Sequence, residues 1–185
     1  MIRRLGIFAA VFMIAAGVLM PSVCAGQDLC PNSKAAVLID VASGRILYQK
    51  NMDQQLPMAS TTKIMTAITA IEEGNLLDTV IASLRAQNTG GSSIYLQAGE
   101  KLTLEELLYG LMLQSGNDAA VAIAEHIAGS CEEFARLMNK KAAGIGAVNS
   151  NFINPHGLDA PGHYTTAEDL AKITAYALKN PEFKK

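Results

Sequence analysis

The chain has 185 residues, half of them hydrophobic and 17% charged, with 15 Lys and Arg against 17 Asp and Glu. That balance excludes a disordered tail, and a net charge of −2 argues against a nucleic-acid binder working through a basic face. Three cysteines and three histidines are too few for a cysteine-rich scaffold and argue against a dedicated metal domain.

Arg3 and Arg4 precede an uncharged, mostly apolar run from Leu5 to Met20, which Pro21 ends. Val23-Cys24-Ala25 then offers residues of the size a signal peptidase reads, so residues 1–25 are expected to be a secretory signal cleaved after Ala25. The alternative, an uncleaved anchor helix, needs about 20 apolar residues, and the run is shorter. Val23 before Cys24 argues against lipidation. The expected mature chain, 26–185, keeps 13 basic and 17 acidic residues. Cys30 and Cys131 remain in it. An exported compartment permits a disulfide between them, but spacing alone leaves both the bridge and two free thiols open.

Ala35–Ile39 and Arg45–Tyr48 flank a turn near Ser43-Gly44 and predict a β-hairpin. The first strand is almost wholly apolar, so burial on both faces is expected. Residues 60–73 predict a helix, with Ile64, Ile68 and Ile71 on one face and Gly74-Asn75 as its stop. Thr103 and Glu106 form a capping-box pattern before a stripe of Leu104, Leu107, Leu108, Leu111 and Met112. Residues 118–128 are apolar nearly all round, which predicts a central helix. Ser130 with Glu133 predicts another helix, through about Ala143. Thr165 with Glu168 predicts a last one, ending before Pro181. The expectation is one hairpin and at least five helices in a single domain. Gly90-Gly91 reads as a flexible turn, Asp118 as a helix N-terminal charge, His126 as a surface residue, His156 as a loop-shaping residue and His163 as exposed.

Two short motifs carry chemistry. Ser60-Thr61-Thr62-Lys63 places a hydroxyl and an amine three residues apart at a helix start, where they share a face. A nucleophilic serine needs such a neighbouring base, and a helix N-terminus favours negative charge. The plain alternative is a capping serine with a solvated lysine. Ser115-Gly116-Asn117 lies between two predicted helices, where Ser115 can relay a proton and Asn117 can bind a substrate amide or Lys63. The plain alternative is a turn that uses these residues for their local geometry. Neither spacing is specific alone, although this is the only Ser-x-x-Lys in the sequence. No His-Glu-x-x-His stands in the chain, which argues against a metallopeptidase.

Context raises both motifs. Pro57–Thr66, Gly91–Leu96, Leu113–Ala120, Phe152–Asp159 and Tyr164–Ala171 follow one another as five blocks. From about Ala35 to Leu178 the chain resembles the low-molecular-mass penicillin-binding proteins, the serine-type D-Ala-D-Ala carboxypeptidases (peptidase S11-like). The resemblance implies a mixed α/β fold of the serine β-lactamase/transpeptidase type, an antiparallel sheet beside a helical subdomain. It implies Ser60 as acylated nucleophile, Lys63 as general base, Ser115 as proton relay and Asn117 as a substrate-binding residue. The family's third element, Lys-Thr-Gly on a strand, has no counterpart in residues 64–185. Residues 26–185 are therefore expected to be the N-terminal part of the domain, truncated before that strand and without the later sheet strands. That expectation makes the activity of residues 1–185 alone doubtful.

The implied substrate is a peptidoglycan stem peptide ending in D-Ala-D-Ala, with β-lactam antibiotics as mimics. The implied location is the cell envelope, with membrane-surface association through a C-terminal tail that many members carry. No cofactor, metal or nucleic acid is called for. Two other readings stay open. A class A β-lactamase shares Ser-x-x-Lys but usually has Asp where Gly116 stands. An inactive envelope protein that binds peptidoglycan is the other.

Overall fold

The computed structural model describes residues 28–185; the expected signal segment lies outside the described residues. Strands β1 (Ala36–Ile39) and β2 (Ile46–Lys50) pair antiparallel, with an irregularity between Leu38 and Ile39. A 3-10 turn, Ala59–Thr61, leads into α1 (Thr62–Glu73). Next come β3 (Thr79–Ile81), the short α2 (Leu84–Gln87) and β4 (Lys101–Thr103), with β3 and β4 pairing antiparallel. Four longer helices follow: α3 (Leu104–Leu113), α4 (Asn117–Ala128), α5 (Cys131–Ile145) and α6 (Ala167–Ala177).

Helix α4 is the centre. Every residue from Asn117 to Ala124 is buried, and α1, α2, α3, α5 and β3 all pack on it. Ala119, Ala120, Ala122 and Ala124 supply little side-chain bulk, so neighbouring helices can approach closely. Around them Ile68, Leu104, Leu111, Phe134 and Met138 fill the core.

The apolar run of β1 does not mean two covered faces. Among the described residues β1 pairs only with β2, and α6 packs against it. Val37 and Ile39 are half-buried, whereas Leu38, which points to the opposite face, is 53% exposed. The β3–β4 pair and α2 were not expected from the sequence. Three-residue strands and a one-turn helix carry too little periodicity to be read, and register with a distant partner creates them.

The Thr103 cap is a full capping box with Glu106, and Ser130 accepts from the Glu133 amide. The last cap is displaced by one residue. Thr166, not Thr165, accepts from the Asp169 amide, because Thr165 is drawn into a bridge with Leu56 and a 2.7 Å bond with Ser150. Cys30 and Cys131 are both free, and Cys131 is buried. His163, expected at the surface, is 6% exposed. Its place is lining the polar seam described next.

Candidate active site

Helix α1 presents an unusual polar edge to the interior: Thr62, Lys63 and Thr66 are all buried. Each finds a partner in the irregular segment 151–165. Thr66 Oγ1 donates to the Pro155 carbonyl at 2.6 Å. Lys63 Nζ donates to the His156 carbonyl at 2.8 Å. Thr62 Oγ1 lies 2.9 Å from His163 Nε2. The Ile153 amide donates to His163 Nδ1 at 3.0 Å, so neutral His163 carries its proton on Nε2 and donates to Thr62. Buried polar groups must be paired, and here the pairing stitches a loop onto a helix.

The same seam forces close backbone approach. Gly157 has φ of +92°, and a Cβ there would stand 1.9 Å from the Ala59 carbonyl oxygen. Ala59 itself holds φ of +46°, a left-handed conformation costly for a residue other than glycine. The residue before Ser60 is therefore held under strain by its surroundings. Ser60 sits exposed in the 3-10 turn, at the mouth of the seam.

The second motif arrives from α4. Gly116 is its N-cap residue, and Ser115 before it has φ of +57°. This bend turns Asn117 inward. Its Oδ1 accepts from Lys63 Nζ at 2.7 Å. Its Nδ2 donates to the Gly90 carbonyl at 2.7 Å, and its backbone amide donates to the Ser92 carbonyl at 2.8 Å. Gly90-Gly91 is thus a tied segment rather than a free turn. A Cβ on Gly91 would meet Asn117 Nδ2 at 2.5 Å.

Lys63 is the electrostatic focus. It is 2% exposed and donates to Asn117, His156 and, at 3.3 Å, to Ser60 Oγ. Among the described residues it makes no salt bridge. Burial without a counter-charge pushes its pKa down to about 8. An amine with that pKa spends part of its time neutral near physiological pH, one bond from a serine hydroxyl. Burial, and then the nearby Lys63 cation, push the His156 imidazole down to about 4. A group held neutral over the working range shapes the loop rather than exchanging protons.

Ser60, Lys63 and Asn117 are brought into one hydrogen-bonded set. Ser115 is half-buried beside it, and its hydroxyl makes no hydrogen bond among the described residues. The parts that sequence reasoning missed are the Pro155 and His156 carbonyls, Thr62, Thr66 and His163. Backbone acceptors leave no trace in a sequence, and buried threonines look like any others. Among the described residues no group of three His, Cys, Asp or Glu can hold a metal ion, and no helix is long and apolar enough to cross a membrane.

Residues 24–185 match the family described as D-alanyl-D-alanine carboxypeptidase, peptidase S11. D-alanyl-D-alanine carboxypeptidase DacF of Bacillus subtilis is 45% identical over 170 residues, which cover 86% of this chain and 44% of that protein. The crystal structure of D-alanyl-D-alanine carboxypeptidase DacD from Francisella tularensis superposes with a TM-score of 0.77 at 39% identity, covering 80% of this chain and 37% of that one. Penicillin binding protein 5 from Haemophilus influenzae gives a TM-score of 0.75 at 35% identity, covering 80% of this chain and 45% of that one. The chain spans less than half the length of each of these three relatives. It belongs to the peptidase S11 family, and its mixed α/β fold is that of the serine DD-peptidases.

Proposed function

We propose that this chain carries the nucleophile and base of a serine-type D-Ala-D-Ala carboxypeptidase that is also acylated by penicillins. One observation carries the reading. The Lys63 amine, buried and without a carboxylate partner among the described residues, stands within hydrogen-bond distance of Ser60 Oγ. A general base works best when its pKa lies near the operating pH.

The chemistry follows from the arrangement. Ser60 Oγ attacks the carbonyl carbon of the penultimate D-alanine as its proton passes to Lys63 Nζ. Collapse of the tetrahedral intermediate breaks the peptide C–N bond. The departing D-alanine amine takes a proton relayed through Ser115, leaving an ester on Ser60. Water then attacks the ester and restores the serine. Asn117 holds Lys63 in place and offers its amide edge to the substrate. With a penicillin the bond broken is the ring amide, and the leaving group stays tethered, so the ester persists. The 3.3 Å separation of Ser60 and Lys63 is at the long end for a hydrogen bond, as catalytic hydrogen bonds often are before substrate binds.

A peptidoglycan substrate implies work in the cell envelope, in keeping with the secretory signal expected at residues 1–25. The test uses the full-length gene product and a fluorescent penicillin. Peptide mapping is expected to find the label on Ser60, and a stem-peptide mimic is expected to release D-alanine. Label on Ser115 or elsewhere defeats the assignment.

A further inference from the structure

The mechanism above leaves Asp118 without a task, yet its position is costly. Its carboxylate is 0% exposed and makes no salt bridge among the described residues. An unpaired buried charge persists only where hydrogen bonds replace the water it lost. Here they do. Ser93 Oγ donates at 2.6 Å, the Leu96 amide at 3.0 Å, the Ile94 amide at 3.1 Å to each oxygen, and its own neighbour Ala119 at 2.9 Å. Burial alone raises its pKa, but these donors outweigh burial and leave it lowered. The sequence-based view of Asp118 as a simple helix-end charge is too small.

Most of these donors come from one short segment. Amides 94 and 96 converge on the carboxylate, a concave anion-binding backbone of the nest type. The residue between them, Tyr95, is forced to φ of +65° with its side chain 82% exposed. Three and five residues before Tyr95, the same segment supplies the carbonyls of Ser92 and Gly90, both taken by Asn117. The dipeptide Asn117-Asp118 therefore grips residues 90–96 at both ends. Asn117 holds one end while its Oδ1 holds Lys63. Asp118 holds the other end and, among the described residues, makes no hydrogen bond to Lys63 or Ser60.

We propose that Asp118 is a positioning residue for the Lys63–Asn117 pair. Its carboxylate anchors residues 93–96, keeps the Gly90 and Ser92 carbonyls in place, and so fixes the rotation of the Asn117 amide over Lys63. Without the anchor, segment 90–96 lifts, Asn117 loses its fixed partners and water reaches the Lys63 amine. The amine then regains its hydration and its proton. The effect runs through position and not through charge, because the depressed pKa of Lys63 comes from burial.

The consequence for catalysis rests on the acyl-enzyme reading above, but the test separates the two. In the full-length protein, NMR of ¹³C-labelled lysine follows the Lys63 ε-methylene signal against pH, assigned by its loss in Lys63→Met. The wild type is expected to titrate near 8. Asp118→Asn, nearly isosteric but neutral, is expected to move that midpoint up by about one pH unit or more, towards the ordinary lysine value. Ser60 acylation by labelled penicillin is then expected to fall at least about ten-fold at pH 7 and to recover to within about three-fold at pH 10. General destabilisation does not produce recovery at high pH. A folded Asp118→Asn variant with an unmoved Lys63 midpoint overturns the proposal. If Asp118→Asn does not fold, Ser93→Ala removes one donor and decides the matter. A smaller upward movement supports the proposal, and none overturns it. A wild type whose Lys63 titrates near 8 but takes no penicillin defeats the proposed activity and leaves the positioning role standing.

Discussion

Lys63 Nζ donates to Asn117 Oδ1 at 2.7 Å, joining the first turn of α1 to the first turn of α4 across 54 residues of chain. The partner is an amide and not a carboxylate, and that choice sets the chemistry. A carboxylate would stabilise the lysine cation and raise its pKa. The amide orients the amine while leaving burial free to depress it to about 8.

The pH dependence of acylation follows with a definite sign. Only the neutral amine accepts a proton from Ser60. Between pH 5 and 7 the neutral fraction rises about ten-fold per pH unit, and it levels off above the pKa near 8. The acylation rate in the full-length protein is expected to trace that curve. A rate flat from pH 5 to 8 removes Lys63 as the base.

Removing groups separates base from relay. Lys63→Ala is expected to lower Ser60 acylation by about 10²–10⁴, the usual worth of a general base. Ser115→Ala is expected to cost less, because water can stand in for a relay whose hydroxyl makes no hydrogen bond among the described residues. Rate constants for the two variants decide it, and a faster Lys63→Ala reverses the roles.

Two glycines offer a matched contrast. Gly157→Ala drives a Cβ into the Ala59 carbonyl at a positive φ. It is expected to destabilise the protein by about 3 kcal/mol or more and to displace the residue preceding Ser60, abolishing acylation. Gly144 lies in α5 with nothing within 4 Å of its added Cβ. Gly144→Ala is expected to stabilise by about 0.5–1 kcal/mol and to leave acylation unchanged. Denaturant melts and penicillin labelling of both variants are the measurement.

Acid is expected to loosen the seam through His163. Burial lowers its pKa from the ordinary 6.5, with Asp159 acting weakly in the opposite direction. Protonation of Nδ1 also breaks the bond from the Ile153 amide. A group whose folded pKa is depressed binds more protons unfolded, so stability falls as pH drops below about 6.5 and on towards the folded-state value. His156, held at about 4, adds to the same slope. His163→Asn keeps an acceptor for Ile153 without the titration. Urea midpoints from pH 7 to 5 are expected to fall less steeply in that variant, and an unchanged slope refutes the assignment.

The two thiols are expected to behave differently. Burial pushes Cys131 up to about 11, and its thiolate is scarce at neutral pH. Cys30 is only half-buried. Alkylation of the native protein followed by mass spectrometry is expected to modify Cys30 at least about ten-fold faster, with no bridge between them.

What the sequence determined by itself was whatever local physics writes into neighbouring residues. Periodic apolar stripes marked α1, α3 and α6, an apolar run marked α4, and the Ser130 and Glu133 cap pattern marked α5. The Thr103 cap could be read because a capping box is complete within four residues. Ser60 and Lys63 could be paired because one helical turn fixes their separation, and Asn117 could be suspected because Ser115-Gly116-Asn117 opens α4. Tertiary structure decided what depends on partners far along the chain. β1 has its covered face against α6, a helix more than 120 residues further along the chain. β3 and β4 exist through each other. His163 was drawn inside by Thr62, 101 residues away. Asp118 became an anchor because amides 94 and 96 curl around it. Lys63 acquired its low pKa from burial against Asn117 and the His156 carbonyl, 54 and 93 residues away along the chain. A pKa depends on what surrounds a group in space, and no spacing along the chain states that.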